Sequence, residues 1–342
     1  MVQAGQKHKL LWSPLFLLAV VTAGLISCNG DGGKKGDDNP PPPPVQTVKA
    51  PSFNADSAFA FVKQQVDFGP RVPNSNAHTK CADWMANVMG GFADTVIVQR
   101  YNVTAFDGKV LNSKNIIASF RPDLGNRILL CAHWDTRPFA DKDSERKNEP
   151  IDGANDGASG VGVLMEVARQ LSIAKPNLGV DIIFFDAEDY GQPDDSEFPP
   201  MEDSYCLGSQ YWAKNLHTPN YIARYGILLD MVGAEHATFT QEGTSVQYAP
   251  YVVDLVWKTA ASAGYSDYFL MQKTKGIIDD HFYINRISGI RCVDIIHYDF
   301  NTTSNFWKHW HTHGDTIDKI DKNTLKATGQ TLLEVLFREI PV

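Results

Sequence analysis

Three near-continuous apolar runs, each stopped by a side chain that can bind a metal or move a proton, constrain this chain most. Arg127-Ile-Leu-Leu-Cys-Ala132 ends at His133, Val180 to Phe185 ends at Asp186-Ala-Glu188-Asp189, and Tyr225 to Leu229 ends at Asp230. Such runs suit strands buried on both faces. Residues 95–103, 113–120 and 291–296 read as further strands. Helical spacing of apolar residues marks 53–67 (N-cap Asp56), 75–90 (N-cap Asn74 or Ser75), 207–215, 249–263 and 323–339. The Gly-rich turn Asp152 to Gly160 opens another helix through Gln170. Strands alternate with helices and no repeat is present, so the expected fold is α/β, a mostly parallel central sheet flanked by helices on both faces.

Ligands of open α/β sheets bind at the carboxyl ends of the strands. His133, Glu188-Asp189 and Asp230 fall there; Asp156 lies in the Gly-rich turn and His311 follows the last strand. Taken singly, each is an ordinary strand-end histidine or helix-capping aspartate. Together they are a zinc-type ligand set, because zinc takes imidazole nitrogen and carboxylate oxygen and a catalytic site uses three protein ligands. Five candidates suffice for one zinc, or for two sharing a bridging carboxylate. Glu188 and Asp189 are adjacent, so one serves the metal and the other remains for general acid/base work.

The chain divides into three parts. Lys7 and Lys9 precede an apolar core from Leu10 to Ile26, and Leu25-Ile-Ser-Cys28 resembles the lipobox of bacterial lipoproteins. Residues 1–28 are therefore expected to be a lipoprotein signal peptide, with lipid on Cys28. Residues 29–51, Gly-rich and then carrying five consecutive prolines, form a tether that cannot build a core. Residues 52–342 form the catalytic domain. The expected location is the bacterial cell envelope, on the periplasmic or outer-surface side. Without the leader the chain has 29 basic and 40 acidic residues, a net −11, which argues against a nucleic-acid partner. Cys81, Cys131, Cys206 and Cys292 lack C-x-x-C spacing, and Cys131 and Cys292 sit in strand-like runs as buried thiols. Pro138 to Pro150 reads as a charged surface loop and Gln192 to Tyr205 as a rim or lid.

His133-Trp-Asp-Thr136, Gly153-Ala-Asn-Asp-Gly-Ala-Ser-Gly160, Phe184-Phe-Asp-Ala-Glu-Asp189, Leu228-Leu-Asp-Met-Val-Gly233 and Trp310-His-Thr-His-Gly-Asp-Thr316 together resemble the zinc aminopeptidase-like family. That family includes the animal-type glutaminyl-peptide cyclotransferases. The likeness runs from Phe68-Gly-Pro-Arg71 to the C-terminus. It implies Asp156, Asp189 and His311 as zinc ligands, Glu188 as acid/base, and His133 with Asp230 as holders of a second zinc in the aminopeptidase branch. It also implies Asp135 as the partner that orients His133. The family usually has Glu where this chain has Asp189.

Within the family, three features resemble the cyclases: Trp310 before His311, Ile278-Asp279-Asp280-His281, and Leu228 to Ala234. The cyclase resemblance implies that Asp230 and Asp279 pair beside the substrate, and that Trp310 and the residue at Ile278 contact it. Ile278 stands where cyclases have Gln. The cyclase lid indole has no counterpart in 190–205, leaving Trp134, Trp212 or Trp307 as substitutes. The implied activity is cyclisation of the N-terminal glutamine of peptides or proteins to pyroglutamate, with ammonia released and one zinc bound. The alternatives are a dizinc aminopeptidase and a binding lipoprotein with a vestigial site.

Overall fold

A computed structural model describes residues 49–339. The leader 1–28, Cys28 and nearly all of the 29–51 tether lie outside them. No helix of the described residues is long and apolar enough to cross a membrane.

Two helices open the domain, α1 (Ala55–Asp67) and α2 (Asn76–Gly90). Asn54 rather than Asp56 caps α1, accepting the Ser57 N–H, and Ser75 caps α2. Asp56 already lies in the first turn, where an acidic side chain favours the helix dipole without capping. Strands β1 (Thr95–Thr104) and β2 (Val110–Phe120) form an antiparallel hairpin. After them come β3 (Arg127–His133), α3 (Ala158–Ile173), β4 (Gly179–Phe185), α4 (Leu207–Lys214) and β5 (Gly226–Asp230). The chain continues through β6 (Phe239–Gln241), α5 (Gly243–Tyr248), α6 (Pro250–Ser262), β7 (Phe269–Lys273), α7 (Asp280–Tyr283), β8 (Cys292–Ile296) and α8 (Lys322–Arg338).

The main sheet runs β1-β2-β4-β3-β5-β8. Its last four strands are parallel, and β2 joins β4 antiparallel. Alternation explains the apolar runs. Leu130, Ile182, Leu229 and Ile295 pack into the larger core with α1, α3 and α8, whereas Cys131, Ile183, Leu228 and Cys292 pack on the opposite face with Trp212 and Ile284. All four domain cysteines are buried free thiols.

Parallel pairing brings the ends of β3, β4 and β5 to one edge, with His133 opposite Phe185 across β3 and β4. α3 starts there and lies tightly on the sheet. A Cβ on Gly160 would fall 2.5 Å from the Leu229 carbonyl oxygen and 2.9 Å from Ala132 Cβ. Since both neighbours sit in the sheet, Gly160→Val is expected to destabilise the fold by about 3 kcal/mol, the upper range for overpacking. Urea denaturation checks this.

Candidate metal centre and pocket

Each sequence-designated side chain arrives from a different element. His133 and Asp230 are the last residues of β3 and β5, Glu188 and Asp189 follow β4, Asp156 precedes α3, and Asp279 caps α7. His311 lies in the long connection between β8 and α8. Ligand atoms of Asp156, Asp189 and His311 all lie within 4.8 Å of one another, as do those of His133, Asp156 and Asp230. His311 Nε2 is 3.1 Å from Asp189 Oδ1 and 3.8 Å from Asp156 Oδ2. His133 Nε2 is 3.1 Å from Asp156 Oδ1 and 3.2 Å from Asp230 Oδ1. Asp156 is thus shared between two clusters.

The first cluster fits zinc by donor type and by charge. Asp156 Oδ2 and Asp189 Oδ2 are buried without a hydrogen-bond partner, a costly state that a cation relieves. Burial, and then the charge of Asp156, push Asp189 up to about 6 against His311 and Arg137. Burial and the charges of Asp156 and Asp279 push Asp230 up to about 7 although His133 opposes them. Burial raises Glu188 well above the usual carboxylate range; His133 opposes this, and Asp189, Asp279 and Asp280 add to it. A divalent ion reverses that repulsion for the carboxylates it binds.

Backbone strain gathers at this edge. Ala187, Cys206, Met231 and His311 all have left-handed φ, between 48° and 57°. Such residues persist where their surroundings over-determine them. Cys206 N–H donates to the Glu188 carbonyl (2.9 Å), Leu207 N–H to that of Ala187 (3.0 Å), and the Cys206 thiol to Glu188 Oε1 (3.1 Å). Asp135 lies 3.6 Å from His133 Nδ1, but its hydrogen bonds go to the Glu188 and Asp189 N–H groups, at 3.0 and 3.2 Å. It fixes the acid/base turn as much as the imidazole. Asp315 accepts the Asn155 and Asp156 N–H groups, and buried Arg71 donates to the Asp152 and Gly153 carbonyls. Gly157, at φ +94°, is required because a Cβ there would sit 2.7 Å from the Asp135 carbonyl oxygen.

Asp156, Glu188, Asp189, Asp230, Asp279 and His311 line one cavity of about 240 Å³, with Ile278 and Trp310 at its walls. Only His133 of the predicted set lies behind rather than on the wall. Trp310 stacks on the His311 ring, centroids 3.8 Å apart, and packs on Phe306 at 4.6 Å. Ile278 is 66% exposed and forms the rim.

None of the three indoles offered as lid substitutes reaches the cavity. Trp134 stacks on His78, Trp212 is buried against His217 and Tyr221, and Trp307 packs beneath with Met231 and Ile296. Each is held by a core on its own side of the sheet. The 190–205 segment instead contributes Tyr205. Two residues that sequence reading passed over, Arg137 and Asp141, touch the ligands from behind. Although Asp141 turns inward to His311, the stretch 138–150 is a surface loop over most of its length, exposed from Ser144 to Pro150. A larger cavity of about 690 Å³ lies between it and the 192–205 segment, but of the ligands' contacts only Asp141 reaches it.

A crystal structure of glutaminyl cyclase from Bacteroides thetaiotaomicron bound to N-acetylhistamine is 50% identical, with a TM-score of 0.84, covering 85% of this chain and 100% of that one. A Zn-dependent exopeptidase from Parabacteroides distasonis is 49% identical, with a TM-score of 0.83 and the same coverage. Glutaminyl-peptide cyclotransferase of Bos taurus is 25% identical over 278 residues, 73% of this chain and 70% of that protein. Residues 115–336 match peptidase family M28, and the chain belongs to that family.

Proposed function

We propose that this protein is a zinc-dependent glutaminyl-peptide cyclotransferase. Near-50% identity to glutaminyl cyclases over their full length supports the reading. The single observation that carries it is Asp279, a buried carboxylate that reaches within 4.8 Å of Glu188 and belongs to neither ligand cluster. An aminopeptidase substrate also carries an α-ammonium, but its nucleophile is water. In cyclisation the α-ammonium itself must give up a proton beside Glu188, and a second carboxylate within 4.8 Å of that side chain holds it there.

Asp156, Asp189 and His311 would hold the ion. When bound, zinc supplies a Lewis acid for the γ-carboxamide oxygen of an N-terminal Gln. The chain's own residues do the rest. Asp230 and Asp279 hold the α-ammonium near the carbonyl carbon of the γ-carboxamide, and the small pocket walled by Trp310 keeps the side chain folded toward it, a proximity effect. Glu188 removes a proton from the α-ammonium. The amine bonds to the carbonyl carbon of the γ-carboxamide (Cδ), Glu188 passes its proton to the amide nitrogen, and the bond from Cδ to that nitrogen breaks. The second proton shed by the ring nitrogen returns to Glu188 and departs with ammonia as ammonium.

Incubation with an N-terminal Gln peptide is expected to release one ammonia per pyroglutamyl product; no ammonia from the zinc-loaded protein would refute the reading. Trp310→Ala is expected to raise KM about tenfold with a smaller change in kcat, the scale of one aromatic contact. Steady-state kinetics check it.

The second reading, a dizinc aminopeptidase, draws on His133 Nε2, which lies almost equally close to Asp156 and Asp230. For location, the lipobox-like Leu25 to Cys28 and the tether support lipid anchoring to the cell envelope. Cys28→Ser should move the protein from the membrane to the soluble fraction; an unchanged distribution would count against the anchor.

A further inference from the structure

Arg137 follows the His133-Trp-Asp-Thr motif and is fully buried. Burying a guanidinium is costly unless its donors are paired; two of its nitrogens are paired with the surroundings of two zinc ligands, and the third, Nη2, has no hydrogen-bond partner. Its Nε donates to Asp141 Oδ1 at 2.6 Å, and one terminal nitrogen donates to the Asp189 and Gly191 carbonyls at 2.9 and 3.2 Å. That nitrogen is also 3.7 Å from Asp189 Oδ1. The guanidinium lies over the Tyr205 ring at 5.2 Å and the Phe139 ring at 5.9 Å, which fixes its plane.

Asp141 carries the chain of contacts onward. Its Oδ1 lies 3.2 Å from His311 Nδ1, while His311 Nε2 faces Asp189 and Asp156. The two ring nitrogens thus face separate groups: a carboxylate on one side, close but outside hydrogen-bond geometry, and the ligand cluster on the other. Lys142 N–H donates to the His311 carbonyl at 3.3 Å, holding a residue whose φ is +57°. Asp189 is held likewise, its N–H by Asp135 and its carbonyl by Arg137. A short ligand side chain reaches the cluster only if its backbone is fixed close by.

We propose that Arg137 and Asp141 are a positioning pair that sets how tightly the zinc is held, Asp141 by orienting His311 and Arg137 by fixing Asp141 and the Asp189 backbone together. This rests on the zinc reading of the site. A carboxylate on the far nitrogen of a metal-binding imidazole fixes its tautomer and raises the basicity of the ligating nitrogen; loss of such a partner typically weakens metal binding 10- to 100-fold. Neither residue need touch substrate.

The test is the rate at which zinc-loaded protein gives up its metal to excess chelator, compared for wild type, Asp141→Asn, Asp141→Ala, Arg137→Lys and Asp143→Ala. Asp143 belongs to the same connection but pairs with His313, Nδ1 at 2.8 Å, so it reports on loop order alone. Asp141→Ala and Arg137→Lys are expected to release zinc about 10- to 100-fold faster. Asp141→Asn, which keeps an acceptor for Arg137 but loses the charge, should fall between, and Asp143→Ala should match wild type. Metal-free Asp141→Asn should unfold at the same temperature as metal-free wild type, a readout that a merely structural role would move. Release within twofold of wild type from both Asp141→Asn and Arg137→Lys overturns the proposal, as does equal acceleration by Asp143→Ala. A wild-type protein that binds no zinc refutes the underlying metal reading instead.

Discussion

Glu188→Gln is expected to keep its fold and its zinc while kcat falls about 10³-fold, the middle of the range for a positioned acid/base. The substitution preserves shape and removes only the capacity to exchange protons. Glu188 groups with Cys206 and Asp279 and belongs to neither the Asp156-Asp189-His311 nor the His133-Asp156-Asp230 cluster, so the zinc held by the first should not change. Its position is set by backbone hydrogen bonds from Cys206 and to Asp135 that an amide does not disturb. KM should change little, because the substrate ammonium is held by Asp230 and Asp279. Elemental analysis and steady-state kinetics on one preparation check both halves. A variant that turns over at the wild-type rate removes Glu188 from the chemistry.

The second large effect separates the ligands from the residues that resemble them. His311→Ala and Asp156→Asn are expected to lose zinc and at least about 10³-fold in kcat/KM together, since the Lewis acid disappears with its ligands. Asp230→Asn should retain zinc and still lower kcat/KM about 10²-fold, the low end for proton-transfer and charge-placing groups. The contrast follows from what each side chain faces. His311 Nε2 points at Asp189 and Asp156, whereas Asp230 faces His133, whose imidazole already sits between it and Asp156. An imidazolium there, favoured by Asp135, Asp156 and Asp230 although burial opposes it, would occupy with positive charge the place of a second cation. Loss of a metal ion from Asp230→Asn would mark it as a ligand and favour the dizinc reading.

The parts of this site legible in the sequence are those fixed by local pattern. Apolar runs placed His133 and Asp230 at strand ends because the interiors of β3 and β5, buried on both faces, are apolar up to those residues. The Gly-rich turn Asp152 to Gly160 marked the start of α3; that Gly160 lets the helix approach the Leu229 carbonyl shows only in the fold. The antiparallel hairpin of β1 and β2 was visible as strands but not as a departure from parallel pairing, since direction is set by partners far along the chain. β6 and β7, three and five residues long, are too short to carry a period.

Arg137, Asp141 and Tyr205 were missed for a different reason. Asp141 lies in the Pro138–Pro150 stretch that reads as a solvated loop, Arg137 stands just before it with no pattern of its own, and only the fold shows that both turn inward to His311 and Asp189. Tyr205 enters the cavity because Cys206 and Leu207 pair back to Glu188 and Ala187, a contact between segments about 20 residues apart that no spacing announces. From the 190–205 segment the ring at the pocket is the Tyr205 phenol rather than an indole. The pocket is closed by Trp310, Phe306 and Tyr205.

The central claim is that one zinc, held by Asp156, Asp189 and His311, serves glutamine cyclisation while His133 and Asp230 bind none. The direct measurement is zinc per chain by elemental analysis after dialysis, on a preparation assayed in parallel with an N-terminal Gln peptide and a Leu-anilide. One zinc, ammonia from the Gln peptide and an intact anilide are predicted; two zincs with Leu-anilide hydrolysis would contradict the account.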